Sequence, residues 1–169
     1  SQSGSEIIFM MGLMNPNLYV KDQRVTNIRQ VAAYDNSGGG AGSKTLTISE
    51  AEEYAFNAIK GANNADAVVL GKYESGSPTS YDAVAKDMNA QYFNLENWDD
   101  LSSQYSSQEI WKINERFLDI QTSSGREIYL SHDPAKYIGG DSYYAKEIQY
   151  LIDNGYRFWK EGDIWHAIR

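Results

Sequence analysis

The stretch that decides the fold reads AVVLGKY over residues 67–73 and ESGSPTS over residues 74–80. The first part is a short apolar run with two valines, which is typical of a strand covered on both faces. The second part is a loop of small residues, and Ser80 suits the N-cap of a following helix. This arrangement points free backbone N–H groups at an anion. We therefore predict that Lys72, Tyr73 and this loop border any site of chemistry; the alternative is a buried central strand and an ordinary surface loop.

Turn and capping signals divide the rest of the chain into short elements. The sequence predicts a helix after a capping box at Ser49–Glu52, a strand at Gln91–Leu95, a helix between Ser106 and Gly125, a strand at Glu127–Leu130, a helix between Asp141 or Ser142 and Gly155, and a terminal hairpin of Tyr156–Trp159 with Ile164–Ile168. Such alternation favours an α/β fold: a mostly parallel small sheet with flanking helices and a C-terminal antiparallel hairpin. The first strand, 67–73, is expected in the interior of that sheet.

One internal boundary stands out in the sequence. Residues 35–43 read DNSGGGAGS, the composition of a flexible linker. We therefore predict an N-terminal arm with its linker at 1–44 and a catalytic domain at 45–169. The start of the chain lacks an initiator Met and a basic signal region, so we expect it to be part of a larger protein.

Composition restricts the chemistry. The 169 residues contain no cysteine and two histidines, so thiolate and histidine-rich metal sites are excluded and no metal or cofactor is predicted. No apolar run is long enough for a membrane span. A net charge of −8 argues against broad binding to phosphate backbones, although it leaves open an enzyme acting on one defined RNA. The same charge suits a basic protein partner.

The predicted strand ends collect polar side chains. Lys72 and Tyr73 follow the first strand, Asn94 ends the second, and residues 131–133 end the third. His132 is the strongest single candidate, a titratable ring beside Asp133, which is able to orient it as a general acid or base. Its replacement is expected to reduce activity and to spare the fold. The alternative is a polar turn without a catalytic role.

Four further residues are candidates elsewhere. Asn114 lies on or beside the apolar stripe of its helix, so its amide has either a structural partner or a role in a site. Glu147 is an acid, a binding group or an exposed helix charge. A metal-free ribonuclease needs an acid, a base and a cation, and His132 or His166 would supply the first two with Lys72 or Arg157 for charge.

A resemblance adds to this interpretation. The strings VLGKY at 69–73, Trp98, EIWKINERFLD at 109–119 and SYYAKEIQYL at 142–151, followed by GY at 155–156, resemble the C-terminal toxin modules of bacterial polymorphic toxins, such as contact-dependent inhibition and Rhs-type effectors. The similarity covers roughly residues 65–159. It implies a secreted or surface-delivered toxin that acts in the cytoplasm of a neighbouring bacterium and is neutralised by a cognate immunity protein.

Three functions follow as hypotheses. The first is a metal-independent ribonuclease acting on tRNA or another RNA. The second is a glycohydrolase-type toxin that degrades NAD or a related nucleotide. The third is a non-catalytic binding module of a large surface protein. For an enzyme, the predicted catalytic residues are His132, His166, Lys72 and Glu147, and the predicted substrate-binding residues are Tyr73, Ser75, Ser77, Ser80, Asn94, Asn114 and Arg157.

Overall fold

The structure, a computed structural model, describes residues 42–169 as a mixed α/β fold, as the sequence predicts. In chain order its elements are α1 (Ile48–Ala58), β1 (Ile59–Lys60), β2 (Ala67–Leu70), α2 (Tyr81–Asp87), β3 (Tyr92–Phe93), α3 (Trp98–Gln104), α4 (Ser107–Ser124), β4 (Glu127–Leu130), a 3-10 turn (Pro134–Lys136), α5 (Tyr143–Asp153), β5 (Arg157–Glu161) and β6 (Ile164–Ile168). Most of the predicted arm, 1–41, lies outside the described residues. Within 42–169 no helix has the length and apolar character that a bilayer crossing requires.

The larger sheet has the strand order β2-β4-β6-β5. β2 and β4 are parallel, whereas β6 pairs antiparallel with both β4 and β5. The terminal hairpin is thus confirmed, and the expectation of a mostly parallel sheet is wrong. The reason is that β6 lies between β4 and β5 and runs antiparallel to both. The tight turn that joins β5 to β6 fixes their antiparallel direction. β3 leaves this sheet and pairs with β1 in a separate antiparallel sheet.

β2 is shorter than predicted and lies at one end of the strand order rather than in the interior. Val68 and Val69 are nevertheless fully buried. The outer edge of β2 is covered by Gln91, which accepts from the Val69 N–H at 2.9 Å and donates to the Ala67 carbonyl at 2.8 Å. A buried strand at a sheet end is stable only when its free backbone groups find such partners.

One face of the larger sheet carries the main core. The register places Val68, Ile128, Ala167 and Phe158 side by side, and all four are buried. Apolar residues of α4 and α5 complete the same cluster. Each fully buried side chain of this kind contributes roughly 1.5–3 kcal/mol. On the opposite face, Val69 packs with Ala85 of α2, so helices meet on both sides of the carboxyl end of β2.

Local signals explain where the helices begin and end. Ser106 and Ser142 cap α4 and α5 as predicted, and Gly125 ends α4 with a left-handed φ of 77°. The predicted capping box of α1 is displaced by two residues. Thr47 is the N-cap, and it exchanges hydrogen bonds with Glu50, because Thr47 has the extended backbone that an N-cap requires.

Candidate functional site

A cavity of about 880 Å³ opens at the carboxyl end of β2. Seven aromatic rings line it: Tyr73, Tyr81, Phe93, Trp98, Tyr137, Tyr143 and Tyr144. Tyr73 and Trp98 are 63% and 43% exposed, so these two rings are open to solvent and to an entering ligand. Trp98 packs edge-on against Tyr143 with ring centroids 5.8 Å apart. The cavity is thus aromatic, with an open side and a buried interior.

A buried carboxyl lies in the wall of this cavity. Glu147 of α5 accepts a hydrogen bond from the Nδ2 of Asn114 in α4 at 3.0 Å, and both residues line the cavity. Asn114 is the one hydrogen-bond partner of the Glu147 carboxyl among the described residues. Burial raises the pKa of Glu147 to about 8, and the amide of Asn114 only partly offsets this shift. At neutral pH Glu147 is therefore mainly a neutral acid that is able to donate a proton.

Two tyrosine hydroxyls near Glu147 donate hydrogen bonds to backbone carbonyls. Tyr81 donates to the carbonyl of Phe93, and Tyr144 donates to the carbonyl of His132 at 2.5 Å. Burial, followed by the charge of Glu147, raises the pKa of both tyrosines above the ordinary value. These hydroxyls therefore keep their protons and hold α2 and α5 against neighbouring segments.

His132 occupies a different position from the one predicted. It is not among the residues lining the cavity, and its side chain is only 14% exposed. Its Nε2 faces Glu74 Oε1 at 2.7 Å, and its Nδ1 lies 2.7 Å from Ser131 Oγ and accepts from the Lys72 N–H at 3.3 Å. The orienting acid is therefore Glu74 and not Asp133. The prediction that His132 is an exposed side chain is wrong, because its position after β4 places the ring in hydrogen-bonding contact with Ser131 and with Glu74 of the loop that follows β2.

Asp133 has a local role instead. Its Oδ1 accepts from the N–H of Ala135 at 3.0 Å, which caps the 3-10 turn. Glu74 in turn accepts from the Thr79 hydroxyl at 2.7 Å, and hydrogen bonds from Thr79 and His132 lower the pKa of Glu74. His132 therefore joins the end of β4 to the loop that follows β2.

The small-residue loop satisfies most of its own backbone. The N–H of Glu74 donates to Ser80 Oγ, that of Thr79 to Ser77 Oγ, and those of Ser77 and Ser80 to carbonyls within the loop. Ser80 is buried and makes no side-chain cap to α2, whereas Ser75 is exposed. Most of the loop N–H groups that were predicted to bind an anion therefore already donate to partners within the loop.

The structure brings some predicted residues together and separates others. Lys72, Tyr73, Asn94, Asn114 and Glu147 all line the cavity. The remaining candidates are not among its lining residues: His132, His166, Ser75, Ser77, Ser80 and Arg157.

His166 belongs to another surface. It stacks on Tyr129 with ring centroids 4.4 Å apart, and its two nitrogens face Glu161 at 3.0 Å and Glu127 at 2.5 Å. Arg157 is exposed on the neighbouring strand β5. The alternation of β6 places His166 on the face opposite Ala167 and the main core.

Sequence reasoning missed several lining residues: Tyr81, Asp82, Tyr137, Tyr143 and Tyr144 were not predicted as site residues. One signal was available. Tyr144 and Glu147 are three residues apart on α5 and therefore lie on the same side of the helix. Asp82 had no such signal, because an acid in the first turn of a helix is common.

No group of three or more His, Cys, Asp or Glu side chains with metal-binding geometry occurs within 42–169.

Comparison of the chain with models of known protein families, with curated proteins and with solved structures finds no match.

Proposed function

We propose that the aromatic cavity is the active site of a hydrolase that cleaves the N-glycosidic bond of a nucleotide, with Glu147 as the general acid. The observation that carries the proposal is a buried carboxyl, hydrogen-bonded to Asn114, in a wall of aromatic rings. Burial raises the pKa of this carboxyl to about 8, which suits a general acid. A volume of about 880 Å³ lies within the range of small-molecule sites. Stacking of a base on an aromatic side chain is worth roughly 1–3 kcal/mol, so Tyr73 and Trp98 suit a planar base.

The chemistry assigns a distinct role to each polar group. The Glu147 proton passes to a nitrogen of the base as the bond between that base and the ribosyl carbon breaks. Asn114 holds Oε2 in the correct orientation, so that Oε1 is left to carry the proton. A purine needs such a proton in order to leave as a neutral base. Nicotinamide needs none, because its ring is cationic in NAD and becomes neutral when the bond to the ribosyl group breaks. The acid therefore favours a purine nucleotide over the nicotinamide bond of NAD.

The ribonuclease hypothesis has less support from the geometry. Stabilising a phosphodiester in its transition state requires positive charge close to it. Lys72 is the single cationic side chain among the described lining residues, which also include Asp82 and Glu147. Both ring nitrogens of His132 are engaged by neighbours, and His166 lies on another surface. These positions favour recognition of a base over recognition of a polyanionic backbone.

The biological setting is a further part of the proposal and rests on the resemblance described above. A nucleotide-degrading activity delivered into a neighbouring bacterium would deplete its nucleotide pool, and a cognate immunity protein would protect the producer. Inducing the chain inside a bacterium tests this setting. The wild type should stop growth, and Glu147→Gln should relieve the effect at equal protein levels.

The activity is tested with purified protein and four substrates: AMP, ATP, NAD and total RNA. Released bases are separated by chromatography, and RNA is examined for strand breaks. Adenine release is expected from AMP or ATP, and Glu147→Gln should reduce it about 10²-fold or more. Glu53→Gln, an exposed carboxyl of α1, is the matched control and should remain active. RNA strand breaks without base release would instead favour the ribonuclease. If neither released base nor RNA strand breaks are found, an enzymatic role for the cavity is rejected.

A further inference from the structure

A second carboxylate lines the same cavity and has no structural partner. The side chain of Asp82, the second residue of α2, makes no hydrogen bond or ion pair with any described residue. Its Oδ1 is buried and has no hydrogen-bond partner. Buried polar atoms are nearly always paired, so a carboxylate with an unpaired oxygen, on a residue that lines a cavity, calls for an explanation from function.

Tyr81 lies near both carboxyls. It precedes Asp82 in α2, and its hydroxyl is held by the carbonyl of Phe93. Besides burial, the charges of Glu147 and then of Asp82 raise the pKa of Tyr81, so the hydroxyl lies within the electrostatic reach of both carboxyls. The two acids differ in environment, because Glu147 is buried and bonded to Asn114, whereas Asp82 is only half-buried.

We propose that Asp82 is the general base of the cavity, which deprotonates the water that attacks the ribosyl carbon. This inference rests on the proposed glycosidic hydrolysis. Hydrolysis of a glycosidic bond with inversion uses a pair of carboxyls, one acting as general acid and the other as general base. Because Asp82 lines the same cavity as Glu147, its carboxylate is placed to accept a proton from a water bound there.

The step balances as follows. The oxygen of water forms a bond to the ribosyl carbon while the bond from that carbon to the base nitrogen breaks. The electron pair of the broken bond remains on the base nitrogen. Asp82 takes one proton from the water, and Glu147 gives one proton to the base. The products are the free base and the ribosyl group with a new hydroxyl. Solvent then removes the proton from Asp82 and returns one to Glu147, so no oxidant or co-reactant is needed.

A purely structural role makes a different prediction. An acid in the first turn of a helix interacts favourably with the helix dipole. In that case Asp82→Asn would lower the thermal midpoint and leave turnover of the folded enzyme unchanged.

The test uses azide as a substitute nucleophile. Asp82→Asn should reduce kcat for purine release about 10²-fold or more with little change in KM. Because azide needs no deprotonation, adding it should restore base release in this variant and yield a ribosyl azide. Asp82→Ser is measured beside it in case the amide disturbs the fold, and Asp87→Asn, an exposed acid of the same helix, is the control. Unchanged kcat, or a raised KM without rescue by azide, would overturn the inference.

Binding of a transition-state mimic separates this inference from the proposed function. A cationic iminoribitol, whose protonated ring nitrogen imitates the ribosyl cation, is titrated into the wild type and Asp82→Asn by calorimetry. The wild type should bind at least tenfold more tightly than the variant. Failure of the wild type to hydrolyse any nucleotide would reject the proposed glycosidic hydrolysis. Equal binding of the mimic to both proteins, or binding to neither, would reject the role of Asp82.

Discussion

Replacing Glu147 by glutamine should change how the stability of the chain depends on pH. Below about pH 4.5 the carboxyl is neutral in both the folded and the unfolded chain. Between that pH and the folded pKa of about 8, the unfolded chain releases the proton while the buried side chain keeps it. The free energy of unfolding therefore falls as pH rises through this window and levels off above it. An amide at this position has no such proton to lose, so the Glu147→Gln variant lacks this decline.

The magnitude follows from the two pKa values. The difference between the ordinary value of 4.5 and the value of about 8 in the folded chain corresponds to about 5 kcal/mol, of which about 3 kcal/mol is lost by pH 7. At low pH the amide and the neutral acid have similar size, and both are able to contact Asn114. The variant should therefore be within about 1 kcal/mol of the wild type there and clearly more stable above about pH 8.

Urea unfolding at a series of pH values measures the effect. The quantity of interest is the difference in unfolding free energy between Glu147→Gln and the wild type, because contributions of all other titrating groups cancel in it. Glu53→Gln, on an exposed part of α1, is the control and should stay within about 0.5 kcal/mol of the wild type throughout. A flat difference for Glu147→Gln, or one that grows in favour of the wild type, would show that the folded chain holds an ionised Glu147.

Glu147 and three residues outside the cavity's acid pair give four more predictions. The rate of purine release should fall about tenfold per pH unit above about pH 8, as Glu147 loses its proton; a rate that keeps rising would reject the acid role. His132→Ala should lower the unfolding free energy by about 1–3 kcal/mol, because it breaks a part-buried set of hydrogen bonds, and an unchanged urea midpoint would contradict this. Gly71→Ala should cost about 1–3 kcal/mol, since the added Cβ would lie 1.7 Å from Ser131 Oγ; Ser131→Gly in the same chain should recover part of the loss. His166→Ala should keep hydrolysis within about twofold of the wild type, because the side chain is outside the cavity, and a loss of about 10²-fold would place it in the mechanism.

The sequence determined the local elements well, because their causes are local. The valines of the 67–70 run specify a buried strand, the Ser106 and Ser142 caps begin α4 and α5, and Gly125 ends α4 in the left-handed conformation. The short connection of the terminal hairpin likewise requires antiparallel strands. Each of these features depends on residues within a few positions of one another.

The order of the strands depended on the whole chain. The alternation of helices and strands predicts a mostly parallel sheet, yet β6 inserts between β4 and β5. Either hairpin strand is able to pair with β4 as far as local signals are concerned. The choice is made by burial, since the observed register places Ala167 and Phe158 beside Ile128 in the core.

The site shows the same division. The sequence singled out Lys72, Tyr73 and Glu147 from their positions along the chain, and all three line the cavity. It assigned His132 to Asp133, its neighbour in sequence, whereas the fold pairs it with Glu74, 58 residues away. Only the packing of α5 against α4 buries Glu147 beside Asn114 and raises its pKa to about 8. Desolvation is a property of the surroundings of a side chain in space, and for this reason the tertiary structure alone decided which acid holds its proton.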